Sequence, residues 1–179
     1  RSGFYEKLCN VIFRRYKGLV KYWLTFNEIN MILHLPFMGA GLLIENKETE
    51  MKDKYQAIHH ELVASALATK IAHEIDPNNM VGCMLAAGNT YPYTCKPEDV
   101  WKAMEKDREG YFFIDVQARG QYPNYALKKM KREDTMPAIE EGDLELLKNN
   151  TVDFVSFSYY SSKVASTEEM APTTEGNVR

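Results

Sequence analysis

The feature that most constrains the fold of this chain is the regular alternation of amphipathic helices with short apolar segments. Apolar side chains recur every three or four residues from Tyr5 to Tyr16, which predicts a helix with one buried face. Residues 19–27 follow, and their aromatic and β-branched side chains are typical of a short buried strand. A nearly continuous apolar run at 80–87 predicts a second strand covered on both faces, as in parallel sheets, and residues 152–159 predict a third.

Helical segments separate these strands. Asp53 and Gln56 have the spacing of a capping box and predict a helix start, and Pro77 predicts the end of that helix. Pro97, followed by two acidic residues, predicts another helix, and residues 140–148 predict a short one. This order predicts βαβ units and a parallel sheet, so the fold class is α/β. Three strands are too few for a closed barrel and fit either a small open sheet or part of a larger structure.

The composition excludes two classes of partner. Hydrophobic residues make up 45% of the chain and charged residues 26%, as in ordinary globular proteins. The net charge is −3 and the basic residues do not gather on one face, so we expect no nucleic acid and no polybasic membrane patch. The apolar runs are also far shorter than the roughly 20 residues of a membrane helix, so we expect no membrane partner.

We expect neither a metal site nor a cofactor. Cys9, Cys83 and Cys95 include no Cys-x-x-Cys pair, and His59 and His73 are fourteen residues apart, too far along a helix to share an ion. An odd set of widely spaced cysteines indicates buried thiols in a reducing compartment, which predicts a cytoplasmic protein.

The sharpest chemical signal is the sequence Thr-Phe-Asn-Glu-Ile-Asn at residues 25–30. Here an apolar strand ends in an amide, Asn27, and a carboxylate, Glu28. The carboxyl ends of strands carry the active site in parallel α/β barrels, and a carboxylate placed there is a candidate acid or base. From the residues alone, a helix cap or a turn remains the more ordinary interpretation.

Four segments, in order, resemble family 1 glycoside hydrolases and in particular their 6-phospho-β-glucosidase branch. Thr-Phe-Asn-Glu after an apolar strand is similar to the acid/base motif of that family. The other three segments are residues 31–41, residues 113–123 and the sixth-strand-like sequence Asp-Phe-Val-Ser-Phe-Ser-Tyr-Tyr at 153–160. The resemblance implies that residues 1–179 are a partial catalytic domain, part of a (β/α)8 TIM barrel from roughly the third helix through the sixth strand. The remaining strands would lie outside this chain.

The resemblance also implies roles for three residues in the retaining hydrolysis of β-glycosidic bonds. Glu28 matches the acid/base, which protonates the leaving oxygen and later activates water. Asn27 matches the residue that hydrogen-bonds the 2-hydroxyl of the sugar, and Tyr160 matches the tyrosine that orients the nucleophile. The implied substrate is a phosphorylated β-glucoside, such as a cellobiose-, arbutin- or salicin-type phosphate. Ser158 and Val116 stand where many other members carry asparagine and proline, which favours the phospho-sugar branch.

The nucleophile motif of the family, Thr-Glu-Asn-Gly, is missing from the sequence. Residues 174–177 read Thr-Glu-Gly-Asn, which is the wrong order, so we interpret Glu175 as a loop residue. We therefore expect this chain alone to be inactive, and we expect it to self-associate through apolar surface and an open sheet edge. Two alternatives stay open: a non-catalytic α/β binding module, and an enzyme acting on non-phosphorylated β-glucosides.

Overall fold

The chain folds as alternating helices and strands in a computed structural model that describes residues 3–168. Its longest helices are amphipathic and pack their apolar faces onto a parallel sheet. In chain order the elements are α1 (Gly3–Arg15), β1 (Tyr22–Leu24), a 3-10 turn (Ile29–Leu33), α2 (Pro36–Ala40), α3 (Glu50–Ile75), β2 (Met80–Ala87), β3 (Thr90–Pro92), α4 (Pro97–Arg119), α5 (Asn124–Arg132), α6 (Asp143–Asn149), β4 (Phe154–Tyr159) and β5 (Lys163–Ala165).

The main sheet of the described residues contains β1, β2 and β4, in that order, and all pairs are parallel. β2 is the central strand and its residues Val81, Cys83 and Leu85 are almost completely buried. These alternate residues share one face, which is completely buried, whereas Met84 and Ala86 on the other face are only partly buried. The prediction that both faces of this strand are covered was therefore wrong for the described residues. The predicted α/β fold with parallel strands is confirmed.

β1 is shorter than the strand predicted at 19–27. At its start, the carbonyl oxygen of Tyr16 accepts hydrogen bonds from the N–H groups of Leu19 and Val20, so these residues still belong to the turn that ends α1. At its end, the chain bends away after Leu24 and enters the 3-10 turn. Only three residues, Tyr22–Leu24, therefore pair with β2.

Two hydrophobic clusters hold the helices to the sheet. In the larger one, α3, α4, α5 and β2 meet around side chains such as Ile58, Leu62, Phe112 and Phe113, which are 0–2% exposed. Each large apolar side chain buried to this extent contributes about 1.5–3 kcal/mol to stability. The smaller cluster joins α1 to α3 and β2. The helices are thus fixed on one face of the sheet.

The start of α3 differs from the predicted capping box. The helix begins at Glu50, and Asp53 lies within its first turn, where its carboxylate accepts a hydrogen bond from the Thr49 hydroxyl at 2.8 Å. Gln56 instead bonds the distant backbone of Ala138, donating to its carbonyl at 3.2 Å and accepting from its N–H at 2.7 Å. The side chain of Gln56 therefore makes a tertiary contact and does not cap the helix, contrary to the prediction.

A second, two-stranded parallel sheet pairs β3 with β5. It follows the carboxyl ends of β2 and β4 and packs against α4. The buried carboxylate of Asp99, near the start of α4, accepts hydrogen bonds from the backbone N–H and hydroxyl of Thr167 and from those of Thr94. The Thr167 N–H, followed by the Thr94 and Thr167 hydroxyls, lowers the pKa of Asp99 to about 2. The segment after β4 is thereby tied to α4.

In the part of the chain that the structure describes, no helix has both the length and the apolar character needed to cross a membrane. The Thr-Glu-Gly-Asn sequence at 174–177 lies outside the described residues.

Candidate active site

The carboxyl ends of β1 and β4 bring the predicted site residues to one edge of the sheet. β1 ends at Leu24 and is followed by a bend containing Asn27 and Glu28, while β4 ends at Tyr159 and is followed directly by Tyr160. Because the strands are parallel, these two segments emerge on the same side. This edge is where a parallel barrel carries its chemistry.

A hydrogen bond joins two of the three predicted residues. The Tyr160 hydroxyl donates to Oε1 of Glu28 at 2.5 Å, across 132 residues of sequence. Glu28 is half-buried, whereas Tyr160 is 75% exposed. The contact fixes one oxygen of the carboxylate at the sheet edge.

Asn27 lies in the same bend, one residue before Glu28, and is exposed. It is therefore adjacent to the Glu28–Tyr160 pair along the chain. Its contact with a sugar hydroxyl stays a prediction.

The backbone of Glu28 adopts an unusual conformation. Its φ and ψ are 48° and 52°, in the left-handed region that side chains other than glycine rarely occupy. Such a conformation costs about 1–2 kcal/mol and persists only where neighbouring contacts enforce it. The Glu28 carbonyl accepts the Met31 N–H at 2.7 Å, which starts the 3-10 turn.

The turn that follows Glu28 is fastened to two other elements. The buried side chain of Asn30 bonds both backbone groups of Ala86 in β2, and Nζ of Lys54 in α3 donates to the Leu33 carbonyl at 2.8 Å. Sequence reasoning assigned a role to neither residue: Asn30 closes the motif at 25–30, but its partner Ala86 is distant in sequence, and Lys54 belongs to no motif. The one available signal was the polar Asn30 directly before an apolar stretch.

A cavity of about 410 Å³ opens beside Tyr160 at the same edge. It is lined by the 3-10 turn, the residues after β2, α4 and the start of β5, including His34, Tyr111, Lys106 and Lys163. The volume can hold a small organic group, and the lining mixes lysines with the acidic side chains of Asp107 and Glu109. Sequence reasoning did not assemble this cavity because its walls come from distant segments.

The histidines considered for metal binding have other partners. His59 is buried, and its ring nitrogens lie 3.0 Å from the Tyr122 hydroxyl and 2.9 Å from Oδ2 of Asp143. His73 contacts Asp153 at 2.9 Å near the opposite edge of the sheet. Within residues 3–168, the histidines, thiols and carboxylates form no cluster of three or more that could hold a metal ion.

The fold and the position of this edge define the class of protein. The chain is similar to the family 1 β-glucosidase from Thermotoga maritima, with a TM-score of 0.74 and 23% identity over 90% of this chain and 35% of the other. The AHE enzyme from Alicyclobacillus herbarius superposes with a TM-score of 0.76 at 19% identity, over 93% of this chain and 38% of the other. These likenesses show the fold, which is part of a (β/α)8 barrel, as the resemblance implied.

The sequence assigns the family within that class. The pattern of glycosyl hydrolase family 1 matches residues 3–178, so the chain belongs to this family. Over 165 residues it is 62% identical to the 6-phospho-beta-glucosidase AscB of Escherichia coli (strain K12), covering 92% of this chain and 35% of AscB. It is 53% identical over 170 residues to the aryl-phospho-beta-D-glucosidase BglH of Bacillus subtilis (strain 168), covering 94% of this chain and 36% of BglH. It is 46% identical over 177 residues to a phospho-cellobiase of Klebsiella oxytoca, covering 98% of this chain and 37% of that protein.

These relatives confirm the predicted likeness to the 6-phospho-β-glucosidase branch. The chain spans about a third of the length of each of these curated relatives.

Proposed function

We propose that this chain is part of the catalytic barrel of a retaining 6-phospho-β-glucosidase, in which Glu28 is the acid/base. The observation that carries the proposal is the hydrogen bond from Tyr160 to Glu28 at the carboxyl edge of the parallel sheet. A turn or a helix cap has no need of a tyrosine hydroxyl delivered from a strand 132 residues away. The ordinary interpretation of the Asn-Glu sequence is therefore the weaker one.

The proposed reaction has two steps. In the first, Glu28 donates a proton to the glycosidic oxygen while a second carboxylate, supplied by another part of the protein, attacks the anomeric carbon. In the second, Glu28 takes a proton from water, whose oxygen displaces that carboxylate. Asn27 would hydrogen-bond the 2-hydroxyl of the sugar. Tyr160, whose hydroxyl donates a hydrogen bond to Glu28, would lie between the two carboxylates and orient the nucleophile.

The proposed substrate is a phosphorylated β-glucoside of the cellobiose, arbutin or salicin type. The support is that the relatives at 46–62% identity are a 6-phospho-beta-glucosidase, an aryl-phospho-beta-D-glucosidase and a phospho-cellobiase. The alternative, a non-phosphorylated β-glucoside, is supported only by structures of about 23% identity. A non-catalytic binding module is disfavoured by the paired Glu28 and Tyr160.

Three narrower proposals accompany this function. The isolated chain does not turn over substrate, because its sequence has no nucleophile motif. The protein works in a reducing compartment, the cytoplasm, where thiols stay free. Cys9, Cys83 and Cys95 are free, but Cys95 is exposed, so the prediction of buried thiols was wrong for that residue. The isolated chain self-associates through its exposed apolar side chains.

A chimera tests the role of Glu28 directly. The matched 165-residue segment of AscB is replaced by the corresponding residues of this chain, which are 62% identical. We expect the chimera to hydrolyse 6-phospho-β-glucosides, and we expect Glu28→Gln to lower kcat/KM for cellobiose phosphate by about 10²–10⁴-fold, the usual contribution of a general acid. Glu48→Gln, at an exposed position in the loop before α3, is the matched control and should retain activity.

The leaving group separates acid catalysis from a general loss of function. A dinitrophenyl leaving group needs almost no protonation, so Glu28→Gln should change kcat/KM for the dinitrophenyl 6-phospho-β-glucoside only slightly. Full activity of Glu28→Gln on cellobiose phosphate would overturn the proposal.

A further inference from the structure

We propose that Asn30 is a positioning residue that holds Glu28 in its left-handed backbone conformation and so aims the acid/base at the glycosidic oxygen. This inference rests on the proposed role of Glu28. It concerns how the carboxylate is placed, because Asn30 itself is buried and only 7% exposed.

The Asn30 carboxamide takes the place of a missing stretch of strand. β1 pairs with β2 only as far as Leu24 opposite Gly82, whereas β2 continues to Ala87. The N–H of Ala86 donates to Oδ1 of Asn30 at 2.9 Å, and Nδ2 of Asn30 donates to the Ala86 carbonyl at 2.9 Å. A strand neighbour would satisfy the same donor and acceptor. The segment beyond β1 is thus registered to the sheet by one side chain.

Asn30, which makes these two hydrogen bonds to β2, lies two residues after Glu28. Between the two positions the chain forms the first turn of the 3-10 segment, with the Met31 N–H on the Glu28 carbonyl at 2.7 Å. The far end of that segment is held by Lys54, whose ammonium group contacts the Leu33 carbonyl and the Glu50 carboxylate. With both ends fixed, the left-handed conformation of Glu28 is enforced, and its carboxylate reaches the hydroxyl of Tyr160.

The alternative is that Asn30 only satisfies buried backbone groups, as many buried asparagines do. The chain offers a matched control for that role. Asn79 is 3% exposed, donates to the Ala72 carbonyl at 2.9 Å and accepts from the Trp23 indole N–H at 3.1 Å. It lies just before the start of β2, at the opposite edge of the sheet from Glu28. Removing it should cost stability without moving the acid/base.

The test compares Asn30→Ala, Asn79→Ala and Glu28→Gln in the AscB chimera. The measured quantity is the ratio of kcat/KM for cellobiose phosphate to kcat/KM for the dinitrophenyl 6-phospho-β-glucoside. We expect Asn30→Ala to lower this ratio by about 10–100-fold, since an acid displaced by about an ångström loses most of its effect. Asn79→Ala should leave this ratio unchanged. It should lower the thermal midpoint of unfolding by about as much as Asn30→Ala does.

Each outcome decides between the two ideas. A ratio for Asn30→Ala equal to that for Asn79→Ala would overturn the positioning role while leaving Glu28→Gln, with its lowered ratio, in support of the proposed function. An unchanged ratio for Glu28→Gln would instead overturn the proposed function. If Asn30→Ala does not fold, Asn30→Asp is judged by the same ratio, because it keeps the acceptor for the Ala86 N–H but loses the donor.

Discussion

At the scale of single residues, Glu28 and Tyr160 meet through a hydrogen bond, and Asn30 and Lys54 hold the backbone beside them. A short motif and a resemblance predict Glu28, Asn27 and Tyr160 as site residues, because the chemistry of an acid/base requires a carboxylate at a strand end. Asn30 and Lys54 were not identified, because each acts on backbone groups whose nearness to it arises only from folding. In the case of Asn30 the partner is 56 residues away.

Glu61 in α3 is a second carboxylate with an unusual environment. It lines a cavity of about 470 Å³ with Tyr5, His60, Glu140 and Asp143, and burial raises its pKa to about 7 from a usual value of 4.5. A carboxyl group whose pKa is higher in the folded state contributes stability below its unfolded pKa. That contribution is lost as the pH rises from about 4.5 to about 7.

We therefore expect Glu61→Gln to raise the free energy of unfolding at about pH 8 by roughly 1–2 kcal/mol, allowing for partial solvent exposure. Near pH 4 the variant should match the parent chain, because both side chains are then neutral. Urea unfolding at the two pH values measures this. Glu74→Gln is the control, because Glu74 is exposed on the same helix. If Glu74→Gln gained as much free energy of unfolding at pH 8 as Glu61→Gln, the role of burial at Glu61 would be contradicted.

At the scale of elements, sequence patterns predicted the long helices, the central strand and the short helix α6, and missed α5, β3 and β5. α5 was missed because its nine residues, Asn-Tyr-Ala-Leu-Lys-Lys-Met-Lys-Arg, are mostly polar and bury only Ala126 and Met130 fully. β3 and β5 have three residues each, too few for a periodic pattern. β3 and β5 form because they pair with each other, Thr90 opposite Lys163, and no local window contains that pairing.

The end of α4 gives a sharp test of packing between elements. Gly120 has a φ of 69°, and a Cβ atom there would lie 2.6 Å from the Cα of Lys148 in α6. Gly41 ends α2 with nearly the same backbone, φ 64° and ψ 19°, but has open space around it. The two glycines therefore differ in packing and not in conformation.

We expect Gly41→Ala to cost about 1 kcal/mol, the penalty of a left-handed alanine. Gly120→Ala should cost about 2–4 kcal/mol, because α6 must also move away. Chemical denaturation of both variants gives the difference directly. Equal costs would show that the close approach of α4 to α6 is relaxed in solution.

At the scale of the whole molecule, the family and its barrel fold were predictable because four segments resembled it in the right order. Surface properties follow from the fold and not from any motif. In the described residues, β4 is an edge strand of the sheet. It carries three exposed apolar side chains, Val155 (46% exposed), Phe157 (62%) and Tyr159 (49%). Exposed apolar side chains on an open edge favour association with another strand.

We expect the isolated chain to run above its monomer mass in size-exclusion chromatography with light scattering. Phe157→Lys should shift the population towards monomer, because edge lysines oppose strand pairing. Val164→Lys, at a 47% exposed position in the separate two-stranded sheet, should leave the mass unchanged. A monodisperse monomer for the unaltered chain would contradict the proposed self-association.

The central claim, that Glu28 is the acid/base, is tested most directly by the product formed with azide. In the AscB chimera carrying Glu28→Ala, the dinitrophenyl 6-phospho-β-glucoside still forms the glycosyl-enzyme, but water is no longer activated. Azide needs no base, so it should attack the anomeric carbon, displace the nucleophilic carboxylate and speed turnover. We predict a glycosyl azide of β configuration. Absence of rescue, or a product of α configuration, would contradict the assignment of Glu28.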